Sequence, residues 1–384
     1  MLKMRRVLAV FILAGVPMAP SGAKETVVYA FQGGNADGFE PNGGLIEVGG
    51  TLYGTTFAGG SFGYGTVFSI TTAGVEKVIY SFKGGMDGAN PQAGLISVDG
   101  LLYGTTRYGG EYGKGTIFSI TTLGAENLIY TFKGGADSAN PTASLTYVNG
   151  TFYGTTNGGG VDCGCGTVFS VTPSGAEAVL HVFGTGSDGQ YPDAELINVN
   201  GVLFGTTILG GAGCHDKAKC GTMFSITPSG VETIVHYFLG HPNHDGIEPY
   251  AGLINVDSTL YGTTAGGGVR NFGTAFSVTP SGAETELFSF RGRDGTGPGG
   301  TLIDVGGTLY GAAGGGRHGI GEVFSVSLAG VESVLYSFKG GSDGSGPNGG
   351  LIYLDNKFFG TTLYGGGSGC PQGDGCGTVF SVTP

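Results

Sequence analysis

One short phrase, repeated, constrains this chain more than any other feature. "TLYGTT" stands at residues 51–56, and near copies return as "LLYGTT", "TFYGTT", "VLFGTT", "TLYGTT", "TLYGAA" and "FFGTT". Counted from the aromatic, they fall at Tyr53, Tyr103, Tyr153, Phe204, Tyr261, Tyr310 and Phe359, with spacings of 50, 50, 51, 57, 49 and 49. Two further marks keep step. A Gly-Thr-Val-Phe-Ser-like run recurs at Phe68, Phe118, Phe169, Phe224, Phe276, Phe324 and Phe380. An Asp recurs at Asp37, Asp87, Asp137, Asp188, Asp245, Asp294 and Asp343, each with a Pro four residues later. A period near 50 points to ring-closed or stacked units rather than one undivided core.

Within one period, four short runs read as strands. In the second repeat they are "GLISV" (94–98), "LLYGTT" (101–106), "GTIFSIT" (115–121) and "ENLIYTF" (126–132), here strands A to D. Each is rich in β-branched and aromatic residues and bounded by turn residues. "VDG", "VNG" and "VGG" between A and B suit tight hairpins, where Gly accepts positive φ. Four antiparallel strands per 50 residues describe a propeller blade.

The chain ends supply the closure. A Glu stands six residues before the last Phe of every D strand, at Glu76, Glu126, Glu177, Glu232, Glu284 and Glu332, and a seventh, Glu25, opens "ETVVYAF" near the N-terminus. The C-terminus stops at "GTVFSVTP", a C strand lacking its D partner. The expected fold is therefore an all-β, seven-bladed β-propeller of four-stranded antiparallel blades. Its N-terminal strand completes the last blade and removes exposed edges.

Gly is abundant, at 83 of 384 residues, but 24 Phe and 18 Tyr at fixed intervals are incompatible with a disordered chain. Residues 1–23 read as a secretory leader: Lys3, Arg5 and Arg6, then an apolar stretch, then "SGA". The repeat domain would span 24–384, with 14 Lys and Arg against 29 Asp and Glu. That acidic balance argues against nucleic acid, and no apolar run is long enough for a membrane span. A monomer, secreted or periplasmic, is expected.

Function is expected on the face bearing the D–A and B–C loops, which are longer and vary between blades. Eleven of those 14 basic residues fall there. The fourth blade is stretched by "ILGGAGCHDKAKC" and "LGHPNHDGIEPY", placing His215, Asp216, Lys217, His241 and His244 on that face. With Arg107, Tyr108, Tyr112, Arg270, Arg317 and His318 they form the candidate ligand-binding set. His181 and His236 take the D-strand position held elsewhere by Tyr80, Tyr130 and Tyr336, which suggests packing. Strand A, taken as innermost, brings Glu47, Asn198, Asn255 and Asp304 to the central channel as a second candidate set.

No metal motif such as H-x-H is present, so no metal site and no cofactor is expected. The repeated Asp reads as a turn-former, with Ca²⁺ as a minor stabiliser the alternative. Six cysteines fall in B–C loops as neighbours in sequence: Cys163 and Cys165, Cys214 and Cys220, Cys370 and Cys376. Pairs in an exported chain read as local disulfides. Cys163 and Cys165 would close a very small ring or pair differently.

Laid out in full, "GLIxVxGxLYGTTxxGG…GTVFSIxxxGxExxxxSF" resembles the bacterial GloVer tandem repeat, over residues 25–384, and more distantly kelch repeats. The resemblance implies an exported repeat protein, often anchored at its C-terminus, with no catalytic residues to carry over. Here the chain ends at "SVTP". The expected function is non-enzymatic binding of a glycan or protein through the long-loop face. The alternatives are a lactonase-like or glycan-cleaving enzyme using Glu47 and Asp304 with the fourth-blade histidines, and a structural matrix protein.

Overall fold

β-Branched and aromatic residues interrupted by Gly-containing turns build seven antiparallel four-stranded sheets in the computed structural model. It describes residues 23–161, 163–184, 187–213, 220–240, 245–367, 370 and 373–384. The expected leader therefore lies almost wholly outside the described residues. In blade 2 the strands are Ile96–Val98, Leu101–Thr106, Thr116–Thr121 and Glu126–Thr131. Strand A is three residues long in every blade, and the A strands of neighbouring blades touch around the axis. Among the described residues no helix is long and apolar enough to cross a membrane.

The ring shuts as its ends require. Blade 7 takes strands A to C from Ile352–Leu354, Lys357–Tyr364 and Thr378–Thr383, and its D strand is Lys24–Ala30. Lys24 faces Thr383, Val27 faces Phe380 and Ala30 faces Thr378. This pairing carries the same β-bulge as the C–D pairing of the other six blades. The extra residue is Val28, equivalent to Ile79 and Ile129, and its carbonyl lies against a Gly of the next blade's C–D turn. A Cβ on Gly124 (φ 91°) would stand 2.2 Å from the Ile79 carbonyl oxygen.

The repeated phrase now resolves atom by atom. Its Tyr packs into the core between two blades: Tyr53 and Val67 of blade 1 meet Leu95, Leu102 and Phe118 of blade 2. Its Gly is the seat of the strand-C Phe, since a Cβ on Gly104 would stand 2.7 Å from the Phe118 ring. That Phe in turn receives the D-strand Phe of the preceding blade edge-on. All seven such pairs, Phe31–Phe68 to Phe338–Phe380, have ring centroids 5.0–5.2 Å apart. The first Thr crosses to the next blade: Thr55 Oγ1 donates to the Ala93 carbonyl at 2.8 Å. The second stays in its own sheet, with Thr56 Oγ1 2.8 Å from Thr66 Oγ1.

A second ring runs outside this core, one station per blade junction. At each station the repeated Asp stands between a D-strand side chain of its own blade and the leading Glu of the next blade's D strand. Tyr29, Tyr80, Tyr130 and Tyr336 donate their hydroxyls to Asp37, Asp87, Asp137 and Asp343 at 2.5–2.9 Å. The Asp also accepts backbone N–H groups, Lys83 N to Asp87 Oδ2 at 2.7 Å being one, so the turn reading holds. Burial first, and the neighbouring Asp second, push Glu76 and Glu177 up to about 7. Glu25 is raised to about 8 by burial and Asp343.

These stations give a pH dependence whose sign is fixed. In the unfolded chain each Glu ionises near its ordinary value, about 4.3. The folded chain holds those protons to about 7 or 8, so between pH 5 and 8 the native state binds more protons and stability falls as pH rises. Urea unfolding should give a higher midpoint at pH 5.5 than at pH 8, and Glu76→Gln should flatten the difference. Gly104→Ala should lower stability by about 1–3 kcal/mol through overpacking against Phe118. Deleting residues 24–30 should abolish cooperative melting and cause aggregation; an unchanged, sharp transition would contradict the shared blade.

Candidate functional site

The long loops are braced. After the repeated Asp, the D–A segment forms short ladders with the segment after strand B: Gly38–Phe39 with Ala58–Gly59, Gly189–Gln190 with Leu209–Gly210, Gly246–Ile247 with Gly266–Gly267. The residue before the recurrent Pro then turns left-handed, at φ 56–58° in Glu40, Asn90, Asn140, Tyr191 and Glu248. Such a φ is uncommon for Glu and Tyr. Past the Pro the chain runs to the axis, and the first Thr of "YGTT" holds it there. Thr155 Oγ1 donates to the Ala194 carbonyl at 2.9 Å and Thr206 Oγ1 to the Pro249 carbonyl at 3.1 Å.

The residue after each Pro faces the channel mouth. In blade order these are Asn42, Gln92, Thr142, Asp193, Tyr250, Gly299 and Asn348, lining a cavity of about 450 Å³ on the long-loop face. The residue that follows each of them is Gly or Ala, so at the rim these side chains supply the chemistry. Asn348 Nδ2 donates to Asn42 Oδ1 at 2.6 Å, across the junction of blades 7 and 1. Arg107 Nη1 donates to Gln92 Oε1 at 2.8 Å. Asp193 accepts from the Thr142 hydroxyl and, at 3.4 Å, from Asn157 Nδ2. Burial raises the Asp193 carboxyl above its ordinary range, against the pull of Thr142, Arg107 and Asn157. Tyr250 is raised by burial, Glu248 and Asp193.

One layer deeper the channel is barred. Glu195 Oε1 accepts the Thr301 hydroxyl at 2.8 Å, joining blades 4 and 6, and Thr301 Oγ1 accepts the Gly252 N–H at 3.2 Å. Blade 5 has room for this bar only because Gly252 lacks a side chain: a Cβ there would stand 2.7 Å from both partners. Glu195 lines the mouth cavity and also a second cavity of about 660 Å³ below it, bordered by Ser97 and Tyr147.

The residues singled out from sequence distribute unevenly around this site. Arg107 reaches it through Gln92. Tyr108 lies under the Arg107 guanidinium, 5.3 Å away, and with Tyr112 it is exposed farther out. Arg270, Arg317 and His318 are exposed on B–C loops and do not line the mouth. His215, Asp216, Lys217, His241 and His244 lie outside the described residues. The strand-A set sits toward the opposite end. Glu47, Asn198 and Asp304 accept the N–H of Gly50, Gly201 and Gly307 at 2.5–3.0 Å, closing A–B turns, and Asn255 is exposed. Sequence reasoning missed the mouth ring itself.

Two disulfides are described, Cys163–Cys165 and Cys370–Cys376, and Cys220 is also disulfide-bonded; Cys214 lies outside the described residues. Cys165 packs into the junction of blades 3 and 4, and Cys370 and Cys376 into that of blades 7 and 1. Such bonds persist in oxidising compartments.

Several solved structures share the architecture. A streptogramin B lyase matches at a TM-score of 0.62 with 14% identity, over 94% of this chain and 97% of that one. The polysaccharide lyase Uly1 matches at 0.52 with 10% identity, over 94% and 99%. A putative 6-phosphogluconolactonase from Bacteroides uniformis matches at 0.50 with 13% identity, over 79% and 86%. At such identities the likeness is one of fold alone. No curated protein matches the sequence. The Gloeobacter/Verrucomicrobia repeat model matches residues 16–218 and 215–384, in accord with the seven-fold phrase, the closed ring and the shared last blade, and the chain belongs to that repeat family.

Proposed function

We propose that this is an exported, non-catalytic propeller that binds a glycan at the channel mouth of its long-loop face. The ring after the prolines carries the proposal. Asn42, Gln92, Thr142 and Asn348 offer neutral donors and acceptors around a cavity of about 450 Å³, with one aromatic ring, Tyr250, the carboxylate of Asp193 at the rim and that of Glu195 deeper. Amides and a carboxylate answer vicinal hydroxyls, and an aromatic face takes the C–H side of a sugar ring. A few convergent polar groups in a concave site are what orientation-specific binding needs. The mouth is held by strand-B threonines and braced loops, which limits the ordering cost of binding. The channel carboxylates first considered for catalysis, Glu47 and Asp304, are engaged in turns at the other end. Export accords with the disulfides.

Glycan-array screening of the intact protein, followed by calorimetry on the best ligand, tests this. Asp193→Asn, Tyr250→Ala and Asn348→Ala should each weaken binding about 10-fold or more, the worth of a hydrogen bond to a charged group or a stacked ring. Undiminished binding by all three variants, turnover of the bound glycan, or capture only of protein ligands would overturn the proposal.

A further inference from the structure

At two adjacent junctions the outer ring of Asp stations carries His where its sister stations carry Tyr, and the change leaves a defined gap. Where blades 3 and 4 meet, the D-strand residue is His181, with Asp188 and Glu232; where blades 4 and 5 meet it is His236, with Asp245 and Glu284. At a tyrosine station the hydroxyl oxygen fills the space between the carboxylates: Tyr130 OH is 2.9 Å from Asp137 Oδ2 and 3.3 Å from Glu177 Oε2. Both histidines keep the tyrosine's packing, edge-on to Phe183 and Phe238 at 4.7 and 4.9 Å. An imidazole is shorter than a phenol, so its Nε2 stops short of where the hydroxyl would stand.

The remaining distances are those of a coordination sphere. His181 Nε2 lies 3.4 Å from Asp188 Oδ2, and His236 Nε2 lies 3.4 Å from Asp245 Oδ2. Both are long for an N–H···O bond, and among the described residues neither nitrogen has a hydrogen-bond partner, although both are shut off from solvent. Two ligands of a tetrahedral ion with bonds of about 2.0–2.1 Å stand about 3.3–3.4 Å apart. The ligand atoms of each trio all lie within 4.8 Å of one another. Glu232 Oε1 is also buried, with no hydrogen-bond partner among the described residues.

The carboxylates are prepared for the role. Asp188 accepts the Gly184 and Gly189 N–H groups at 2.8 Å, and Asp245 those of Leu239 and Gly246 at 2.7 Å. Outer hydrogen bonds of this kind fix a ligand's orientation.

We infer that each histidine station binds one Zn²⁺-class divalent cation between His181, Asp188 and Glu232, and between His236, Asp245 and Glu284. One imidazole and two carboxylates, with an open fourth position, suit an ion that accepts mixed nitrogen and oxygen ligands in tetrahedral geometry. Ca²⁺ fits poorly, since it takes six to eight oxygens. The ion would replace, at these junctions, the cross-blade link that a hydroxyl makes at the tyrosine junctions.

The repeat supplies the controls. The intact protein, stripped with EDTA and equilibrated with Zn²⁺, should retain two equivalents by elemental analysis and melt at a higher temperature than the stripped form. His181→Tyr and His236→Tyr each install the side chain of a sister station, so each should lose one equivalent and stay folded. The double variant should lose both. Tyr130→His should gain one, and Glu232→Gln should lose the same equivalent as His181→Tyr should the latter misfold. Failure of the parent to take up Zn²⁺, or retention of both equivalents by the double variant, with binding then traced to His215, His241 and His244, would overturn the inference.

Discussion

Edge-to-face contact between a D-strand Phe and the strand-C Phe of the next blade is the interaction on which this ring depends. It occurs at every junction with the same spacing, and such pairs contribute about 0.5–1.5 kcal/mol each beyond their buried area. The contact exists only because strand B beneath it carries Gly, whose missing side chain admits the ring. One residue choice thus couples a blade's own sheet to its neighbour's. The charge-poor composition follows from the same geometry, because most side chains near the axis are needed for packing between sheets.

That coupling explains why the terminal strand matters beyond hydrogen bonds. Phe31 leaves the N-terminal strand and packs edge-on against Phe68, beside Phe359, Val379 and the Cys370–Cys376 pair. Glu25 from the same strand completes the Asp station between blades 6 and 7 at Asp343. A strand that supplied only backbone pairing could be replaced by any sequence of β-propensity. This one supplies a core aromatic and an ionisable group to two different junctions, so its register is fixed from both sides.

Much of this was legible in sequence because repetition averages out local ambiguity. A single "GTIFSIT" cannot be told from other apolar runs, whereas seven in step with Glu and Asp markers specify strands, blade count and closure. The mouth ring was hidden for the opposite reason. Asn42, Gln92, Thr142, Asp193, Tyr250, Gly299 and Asn348 form a column that varies from blade to blade, beside a Pro that never does, and that invariant Pro was the available signal. The strand-A column misled. Glu47 and Asp304 vary too, but their side chains answer turn amides three residues on, a local demand that outweighs the pull of the channel. The second Thr of "YGTT" bonds within its sheet, while the first bonds between blades.

Blade 6 shows how far one departure propagates. Its phrase reads "YGAA", so Ala312 cannot anchor the next blade's mouth segment, and Ala313 cannot meet a strand-C Thr. In the same sheet the strand-C Thr is replaced by Glu322, which faces Ala313 and is fully buried. Its carboxyl fits because Gly295 and Gly316 lie against it, and it accepts the Ser337 hydroxyl at 3.4 Å. Burial and then Glu332 raise it to about 8, so it sits there as a neutral acid. The station beside it has also changed, with Phe288 where other blades place Tyr or His. A junction stripped of its hydroxyls has thus taken up a protonated carboxyl instead. The same logic runs through the histidine stations: the scaffold fixes where a polar group must stand, and each blade chooses which atom fills the place.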